Sequence, residues 1–147
     1  MVELLFGERK IRQAKELVTS YGLSFDKDYD TLMGIYDHKG ELIATGARSG
    51  YTLKMIAVDK SSQSTDIYSE LITELINDGF TAGHESMLIF TKPEFYSAFT
   101  ALNFHLLSIT SKVALLEYGA GIRTFLNSRK SLVKEGRNGA VIMNCNP

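Results

Sequence analysis

The chain has 147 residues and a mass of 16.4 kDa, which is the size of one ordinary soluble domain and excludes a complete two-domain enzyme. Hydrophobic residues make up 44% of the sequence and charged residues 22%, a balance typical of a folded globular protein. The 16 basic and 17 acidic residues leave a net charge of −1, so neither nucleic acid nor an anionic membrane is an expected partner.

Cys145 is the single cysteine of the sequence, which excludes an internal disulfide and a multi-cysteine zinc site and is typical of a reducing compartment. The first residues lack the basic start and the long apolar stretch of a signal peptide. No run of about 18 apolar residues occurs anywhere in the chain. We therefore expect a cytoplasmic protein that is neither secreted nor membrane-spanning.

The first half of the sequence predicts one helix followed by three strands. Apolar residues at steps of three and four precede Gly22 and predict a helix over Glu8–Tyr21. Two β-prone runs, Thr31–Tyr36 and Glu41–Ala47, flank a turn that ends in glycine and predict a hairpin. A third, more apolar strand is expected over Tyr51–Val58.

An acidic stretch lies between the predicted helix and the hairpin. Asp26, Asp28 and Asp30 have the alternate spacing of the first ligands in a calcium-binding EF-hand loop. Such a loop needs glycine at its sixth position and glutamate at its twelfth, but Thr31 and Asp37 stand there. A solvated loop that binds no metal is therefore predicted.

The second half of the sequence predicts a helix, a short strand, a second helix and a hairpin. The first of these helices begins near Asp66 and ends before Gly79, with a single apolar stripe at helical spacing. The remaining predicted elements are a strand over Met87–Phe90, a helix over Glu94–Leu102 and strands over Leu106–Thr110 and Val113–Tyr118. With Leu4–Phe6 as a weak first strand, the order predicts an α/β (α+β) fold whose mixed central sheet has helices on both faces.

The composition changes after Gly119. Residues 120–147 contain five basic residues and one acid, so this segment has a charge of +4 and the rest of the chain, whose total is −1, has a charge of −5. An amphipathic pattern over residues 120–138 predicts a basic linker helix, and an apolar run within residues 139–147 predicts a buried strand. We therefore expect residues 1–119 to form one domain and residues 139–147 to be the first strand of a truncated second domain.

The predicted element order resembles the GCN5-related N-acetyltransferase fold. The run Gly139–Pro147 is similar to the opening of the nucleotidyltransferase domain in citrate lyase ligases, also called citrate lyase synthetases. Four further segments match that family at its spacing: Met55–Val58, Thr73–Asn77, Ile89–Lys92 and Leu102–Phe104. The resemblance covers nearly the whole chain and implies an acetyltransferase-like domain over residues 1–119, followed by the start of a nucleotidyltransferase domain.

The resemblance implies that the parent protein is an AMP-forming acid–thiol ligase. With ATP and acetate, it would acetylate the prosthetic-group thiol of the citrate lyase acyl carrier subunit, a group similar to dephospho-coenzyme A. ATP would bind in the parent's own carboxyl-terminal nucleotidyltransferase domain, so this chain by itself is expected to lack the ATP site and not to make acetyl adenylate. That domain and the acyl carrier subunit are the implied partners.

The resemblance also implies a site for coenzyme A or a dephospho-coenzyme A-like group. In the acetyltransferase fold the backbone of a splayed strand binds the amides of a pantetheine arm, and a loop at a helix N-terminus holds the diphosphate. These positions fall on Ile56, Ala57 and Val58 of the strand and on Ser62, Gln63, Ser64, Thr65 and Asp66 of the following loop.

Two of these loop residues depart from the family pattern, because Ser64 and Asp66 stand where the fold usually has glycine. A carboxylate beside a diphosphate costs about 1 kcal/mol or more if it is desolvated. The alternative interpretation of the loop is that Ser64, Thr65 or Asp66 only caps the helix that follows.

No catalytic residue is predicted. The position from which many acetyltransferases supply a tyrosine general acid is Phe99, and a phenyl ring has no proton to donate. Tyr96 lies on the same predicted helix at a different position and is interpreted as structural. The alternative functions are a stand-alone acetyl-coenzyme A-dependent N-acetyltransferase and a non-catalytic structural domain.

The remaining reactive side chains are predicted to be structural or exposed. His38, His84 and His105 lack the partner spacing of metal ligands, and no metal site is predicted. Cys145 has no base beside it in the sequence and is interpreted as an ordinary strand residue.

Overall fold

A computed structural model describes residues 1–62 and 65–119 of the chain. Within these residues the helices and strands follow the predicted order. The chain divides into two compact units, residues 1–87 and residues 88–147. The predicted linker helix over residues 120–138, the predicted strand over residues 139–147 and Cys145 lie outside the described residues.

The first unit is built on an antiparallel meander in which each strand pairs with the next. Its strands are β1 (Val2–Leu4), β2 (Thr31–Tyr36), β3 (Leu42–Ser49) and β4 (Thr52–Val58). At the β2–β3 turn the Asp37 carboxylate accepts the N–H groups of Lys39 and Glu41, and Gly40 has a φ of +83°. The predicted hairpin is thereby confirmed, whereas the first strand begins at Val2 and not at Leu4.

Two helices cover opposite faces of this meander. They are α1 (Glu8–Ser20) and α2 (Thr65–Thr81). Val18 of α1 is fully buried in one cluster with Ala47 of β3. Leu75 of α2 lies over Gly46 of β3. A Cβ atom added to Gly46 would be only 2.9 Å from the Cδ1 atom of Leu75. Because neighbouring residues of a strand face opposite sides of a sheet, α1 and α2 pack on opposite faces, as predicted.

Helix α2 is longer than predicted. The sequence places its end before Gly79, but the helix continues to Thr81 and Gly79 is buried inside it. A Cβ at Gly79 would lie 2.5 Å from Met87 Sδ and 3.2 Å from Arg48 Cδ. This glycine therefore permits close packing, and the left-handed residue beyond the helix end is Gly83, with a φ of +99°.

The described part of the second unit, residues 88–119, is organised around aromatic side chains. Its elements are the rest of β5 (Met87–Thr91), a 3₁₀ turn at Pro93–Phe95, α3 (Tyr96–Thr100), β6 (His105–Ile109) and β7 (Ala114–Tyr118). The ring of Phe104 is buried, with its centroid 5.6 Å from that of Phe99 and 5.5 Å from that of Tyr118. The predicted β6–β7 hairpin is confirmed, and the predicted second helix is shortened to a 3₁₀ turn and one short helix.

Candidate functional site

Strand β4 contains a bulge at Met55 and Ile56, at the start of the strand residues predicted to bind the arm. Lys54 pairs with Ala47 and Ala57 pairs with Thr45, so β4 advances by three residues where β3 advances by two. Met55 takes up part of the extra length with a φ of +56°. This left-handed conformation costs a non-glycine residue about 1–2 kcal/mol. A bulge of this kind bends a strand and interrupts its pairing, so the direction of the last residues of β4 is set here.

The loop between α1 and β2 contacts this bulge. The Asp26 N–H donates to Met55 Sδ at 3.2 Å. Lys54 Nζ donates to the Asp26 carboxylate at 2.6 Å and to the Asp28 carbonyl at 2.5 Å. The hydrogen bonds from Lys54 and from the Asp28 N–H lower the pKa of Asp26. The three aspartates of the acidic loop are exposed, in agreement with the predicted solvated loop, and the loop is in addition hydrogen-bonded to β4.

Ile56, Ala57 and Val58 are the last residues of β4, and Ile56 lies with Met55 in the bulge opposite Gly46. Ala57 and Val58 are buried, while Ile56 is half-buried and directs its Cδ1 atom toward Gly46. All three side chains are apolar and offer no hydrogen bond. A ligand with amide groups that binds here therefore has to use the strand backbone, as in the addition of an extended peptide to a sheet.

The turn after β4 uses its backbone N–H groups within the protein. The Asp59 N–H donates to the Ile43 carbonyl of β3 at 2.7 Å. The Lys60 N–H donates to the Tyr21 hydroxyl, also at 2.7 Å. The Ser62 N–H donates to the Asp59 carbonyl at 2.9 Å, which closes a 3₁₀ turn. Both the N–H and the hydroxyl of Ser61 donate to the Asp59 carboxylate. These four amides are engaged, so a diphosphate would have to be held farther along, at the start of α2.

The start of α2 contains the rest of the predicted loop. Gln63 and Ser64 lie outside the described residues, and Thr65 is the first residue of the helix. Asp66 is exposed and lies within the first helical turn. The first N–H groups of a helix lack intrahelical acceptors and carry its positive dipole end, which attracts anions. Asp66 would compete with an anionic ligand for that positive end.

Two tyrosines that the sequence analysis does not single out lie near this turn. The Tyr21 hydroxyl, just beyond the end of α1, accepts the Lys60 N–H. Burial raises the pKa of Tyr68, and the interaction with Tyr21 raises it further. Tyr21 fits the apolar pattern of α1 and Tyr68 lies off the apolar stripe of α2, so nothing in their spacing indicates that they lie near each other. Lys60 adds an exposed cation.

Solved structures share the fold of this chain. It superimposes on an N-acetyltransferase of Staphylococcus aureus with a TM-score of 0.61 and 22% identity, covering 81% of this chain and 97% of that one. It also superimposes on an aminoglycoside 6′-N-acetyltransferase that was solved in complex with coenzyme A, with a TM-score of 0.69 and 10% identity. That superposition covers 80% of this chain and 96% of the acetyltransferase. The fold is that of the GCN5-related N-acetyltransferases. The predicted fold class is thereby confirmed.

Curated relatives point to one family within this acetyltransferase fold. The chain is 27% identical over 146 residues to the citrate (pro-3S)-lyase ligase of Haemophilus influenzae and 28% identical over 149 residues to that of Klebsiella pneumoniae. These alignments cover 95% and 99% of this chain but 43% of each relative. The predicted resemblance to citrate lyase ligases is confirmed, and the chain spans less than half the length of these relatives. No model of a protein family matches the chain.

In this acetyltransferase fold the position discussed for a general acid is occupied by a core side chain. Phe99 is 4% exposed and packs edge to face against Phe104. Tyr96 begins α3 and is 37% exposed. The interpretation of Tyr96 as structural stays a prediction.

The histidines lie at separate places in the described residues. His38 is exposed on the β2–β3 turn, His105 is exposed at the start of β6, and the ring of His84 is 6.3 Å from that of Tyr51. Within residues 1–62 and 65–119, no three His, Cys, Asp or Glu side chains are grouped so that they could hold a metal ion. In the same part of the chain no helix is long and apolar enough to cross a membrane.

Proposed function

We propose that the chain is the amino-terminal, acetyltransferase-like part of a citrate lyase ligase and that it positions the pantetheine-like arm of the citrate lyase acyl carrier subunit. Similarity over 95% of the chain to relatives more than twice its length supports this assignment. The parent protein would use ATP and acetate to acetylate the thiol at the end of the arm. That reaction would belong to its carboxyl-terminal nucleotidyltransferase domain, and the protein would act in the cytoplasm.

The bulge in β4 is the observation that carries the proposed positioning role. The bulge interrupts the regular pairing at Met55 and Ile56, at the start of Ile56–Val58, whose apolar side chains leave only the backbone to bind a ligand with amide groups. The arm of dephospho-coenzyme A has such amide groups. Backbone hydrogen bonds from a strand to an added extended segment supply affinity without needing a charged or polar side chain.

The residues of the loop fit a coenzyme A or dephospho-coenzyme A-like group only in part. The amides of residues 59–62 are engaged within the protein, which leaves the start of α2 to hold a diphosphate. There Asp66 places a carboxylate in the first turn. We therefore assign the arm to Ile56–Val58 and only a weak diphosphate contact to residues 63–66, beyond the engaged amide of Ser62.

The proposal is tested by titrating the whole chain with dephospho-coenzyme A and following the backbone amide signals by NMR. We expect binding in the millimolar range and shifts at residues 56–58. Asp66→Asn is expected to tighten binding about fivefold, because it removes a repulsion of about 1 kcal/mol. Glu74→Asn removes a similar exposed charge farther along the same helix and is the matched control, with a change below about twofold. Absence of binding at millimolar concentration would contradict the positioning role.

A stand-alone acetyl-coenzyme A-dependent N-acetyltransferase is the second candidate. The fold likeness to an enzyme solved with coenzyme A favours it. The buried phenyl ring of Phe99 argues against it, because the usual proton donor is missing there. Transfer of acetyl from acetyl-coenzyme A to an amine by this chain would establish the second candidate. A chain that binds neither ligand would instead fit a non-catalytic structural domain.

A further inference from the structure

The α1–β2 loop forms hydrogen bonds with Lys54 and Met55, the two residues of β4 that precede the proposed arm-binding segment. Asp26 and Asp28 bind Lys54 Nζ, and the Asp26 N–H binds Met55 Sδ. The Asp28 N–H also donates to the Asp26 carboxylate at 2.8 Å, which holds the loop in one conformation. The Lys54 side chain is 24% exposed, so its ammonium group is partly withdrawn from water into these contacts.

The conformation of β4 after the bulge depends on the bulge itself. Met55 is 8% exposed and has a strained, left-handed backbone that persists only if its surroundings hold it. If the bulge relaxed into regular strand, Ile56–Val58 would shift by one residue against β3. A shift of one residue turns every side chain to the other face of a sheet, which would move Ala57 out of its cluster with α1 and present a different backbone edge.

We propose that Lys54 and Asp26 are positioning residues for the arm, because they fasten the α1–β2 loop to the bulge and so hold Ile56–Val58 in the binding conformation. This inference rests on the proposed function and specifies what prepares the site. An ion pair this exposed contributes little to global stability, so its effect is expected to be local to β4.

Lys54→Met tests the inference, because it keeps the apolar stem and removes the ammonium group. Lys54→Arg restores the charge and is the rescue variant. Lys10→Met is the matched control, because Lys10 and Glu3 form a similar ion pair. The Lys10–Glu3 distance is 2.7 Å, and these side chains are 34% and 43% exposed. The Lys54–Asp26 distance is 2.6 Å, and those side chains are 24% and 51% exposed. Hydrogen exchange at the amides of residues 56–58, the dissociation constant for dephospho-coenzyme A and the melting temperature are measured for each variant of the whole chain.

Lys54→Met is expected to speed exchange at residues 56–58 about tenfold and to weaken binding by a smaller factor, because affinity falls only with the fraction of molecules that lose the binding conformation, while Lys10→Met changes neither. Lys54→Arg should recover most of both effects. The Lys54→Met and Lys10→Met variants should melt within about 4 °C of the unmodified chain.

Equal exchange at residues 56–58 in Lys54→Met and Lys10→Met would overturn the inference. Weaker binding without faster exchange would also overturn it, because Lys54 would then touch the ligand directly. If the unmodified chain bound no dephospho-coenzyme A but Lys54→Met still exchanged faster, the proposed function would fail while the conformational role of Lys54 would stand.

Discussion

The ion pair between Arg48 and Asp78 links β3 to α2 in a largely buried cluster. Arg48 Nε donates to Asp78 Oδ2 at 2.8 Å, and Arg48 Nη1 donates to the Gly50 carbonyl at 2.8 Å. The Thr31 hydroxyl donates to the same Asp78 oxygen at 2.6 Å. The Arg48 side chain is 7% exposed and that of Asp78 is 29% exposed. Removal of the guanidinium group would leave a partly buried carboxylate without its cation.

Arg48→Met is therefore expected to lower the free energy of unfolding by about 2–3 kcal/mol. Removing one partner of a fully buried pair costs about 3–5 kcal/mol. We expect less because Asp78 is partly hydrated and keeps the hydrogen bond from Thr31. Arg12→Met is the matched control, since Arg12 and Glu8 pair at 3.3 Å with side-chain exposures of 62% and 90%. That variant should lose less than about 0.5 kcal/mol.

Urea unfolding followed by circular dichroism at neutral pH measures both losses. The reasoning would be refuted if Arg48→Met lost no more stability than Arg12→Met. Adding Asp78→Leu to Arg48→Met should recover part of the loss, because the partly buried Asp78 carboxylate is then removed and the Asp30 carboxylate that remains is 59% exposed. A double variant less stable than Arg48→Met would mean that packing, and not charge, dominates at this position.

Two further predictions concern the same unit. Burial favours a higher pKa for Asp78, but the hydrogen bonds from Thr31 and Arg48 outweigh it and lower the pKa below 3.8. The lowered pKa of Asp78 stabilises the folded state at pH values above 3.8, and this stabilisation is lost as the pH falls toward the folded-state pKa. The difference in unfolding free energy between the unmodified chain and Asp78→Asn should therefore become smaller below about pH 4. A gap that stays constant would contradict this. Gly79→Ala should lower the free energy of unfolding by about 1–2 kcal/mol, because the added methyl group overpacks against the buried Met87. Thr73→Ala, at an exposed position of the same helix, should raise the free energy of unfolding slightly because alanine favours a helix more than threonine does. Urea unfolding that gave both substitutions the same sign would contradict the packing role of Gly79.

The order of elements was predictable because each depends on a local pattern. The period of apolar residues in α1 and the turn ending in Gly40 are both visible in the sequence. Gly79 was misread because a glycine near the end of an apolar stripe is typical of a helix terminus. Its actual role depends on Met87 and Arg48 from other elements, and no local pattern records that contact.

The bulge in β4 could not be predicted from the sequence for a similar reason. Methionine has no preference for the left-handed conformation, so Met55 gives no local signal. The contacts to Met55 and Lys54 come from residues 26–28, nearly thirty positions away. The spacing of Asp26 and Asp28 resembles that of a metal-binding loop, and nothing in it indicates a lysine on a distant strand.

The two halves of the candidate site differ in what they can bind. The strand half, Ile56–Val58, has a bulge and apolar side chains. In the loop half the described residues are 59–62 and 65–70, and the amides of residues 59–62 are engaged within the protein. These residues carry three acidic side chains, Asp59, Asp66 and Glu70, and one basic side chain, Lys60. Such a loop attracts a diphosphate weakly, so binding energy has to come from the uncharged amides of the arm. Under the proposed function, a freely diffusing acetyl-coenzyme A would depend on phosphate contacts that the acidic side chains of this loop weaken. An arm tethered to a docked carrier protein would depend on them less, because tethering raises its effective concentration at the strand. The proposed function therefore predicts delivery of the arm by a carrier and not by a free coenzyme A substrate.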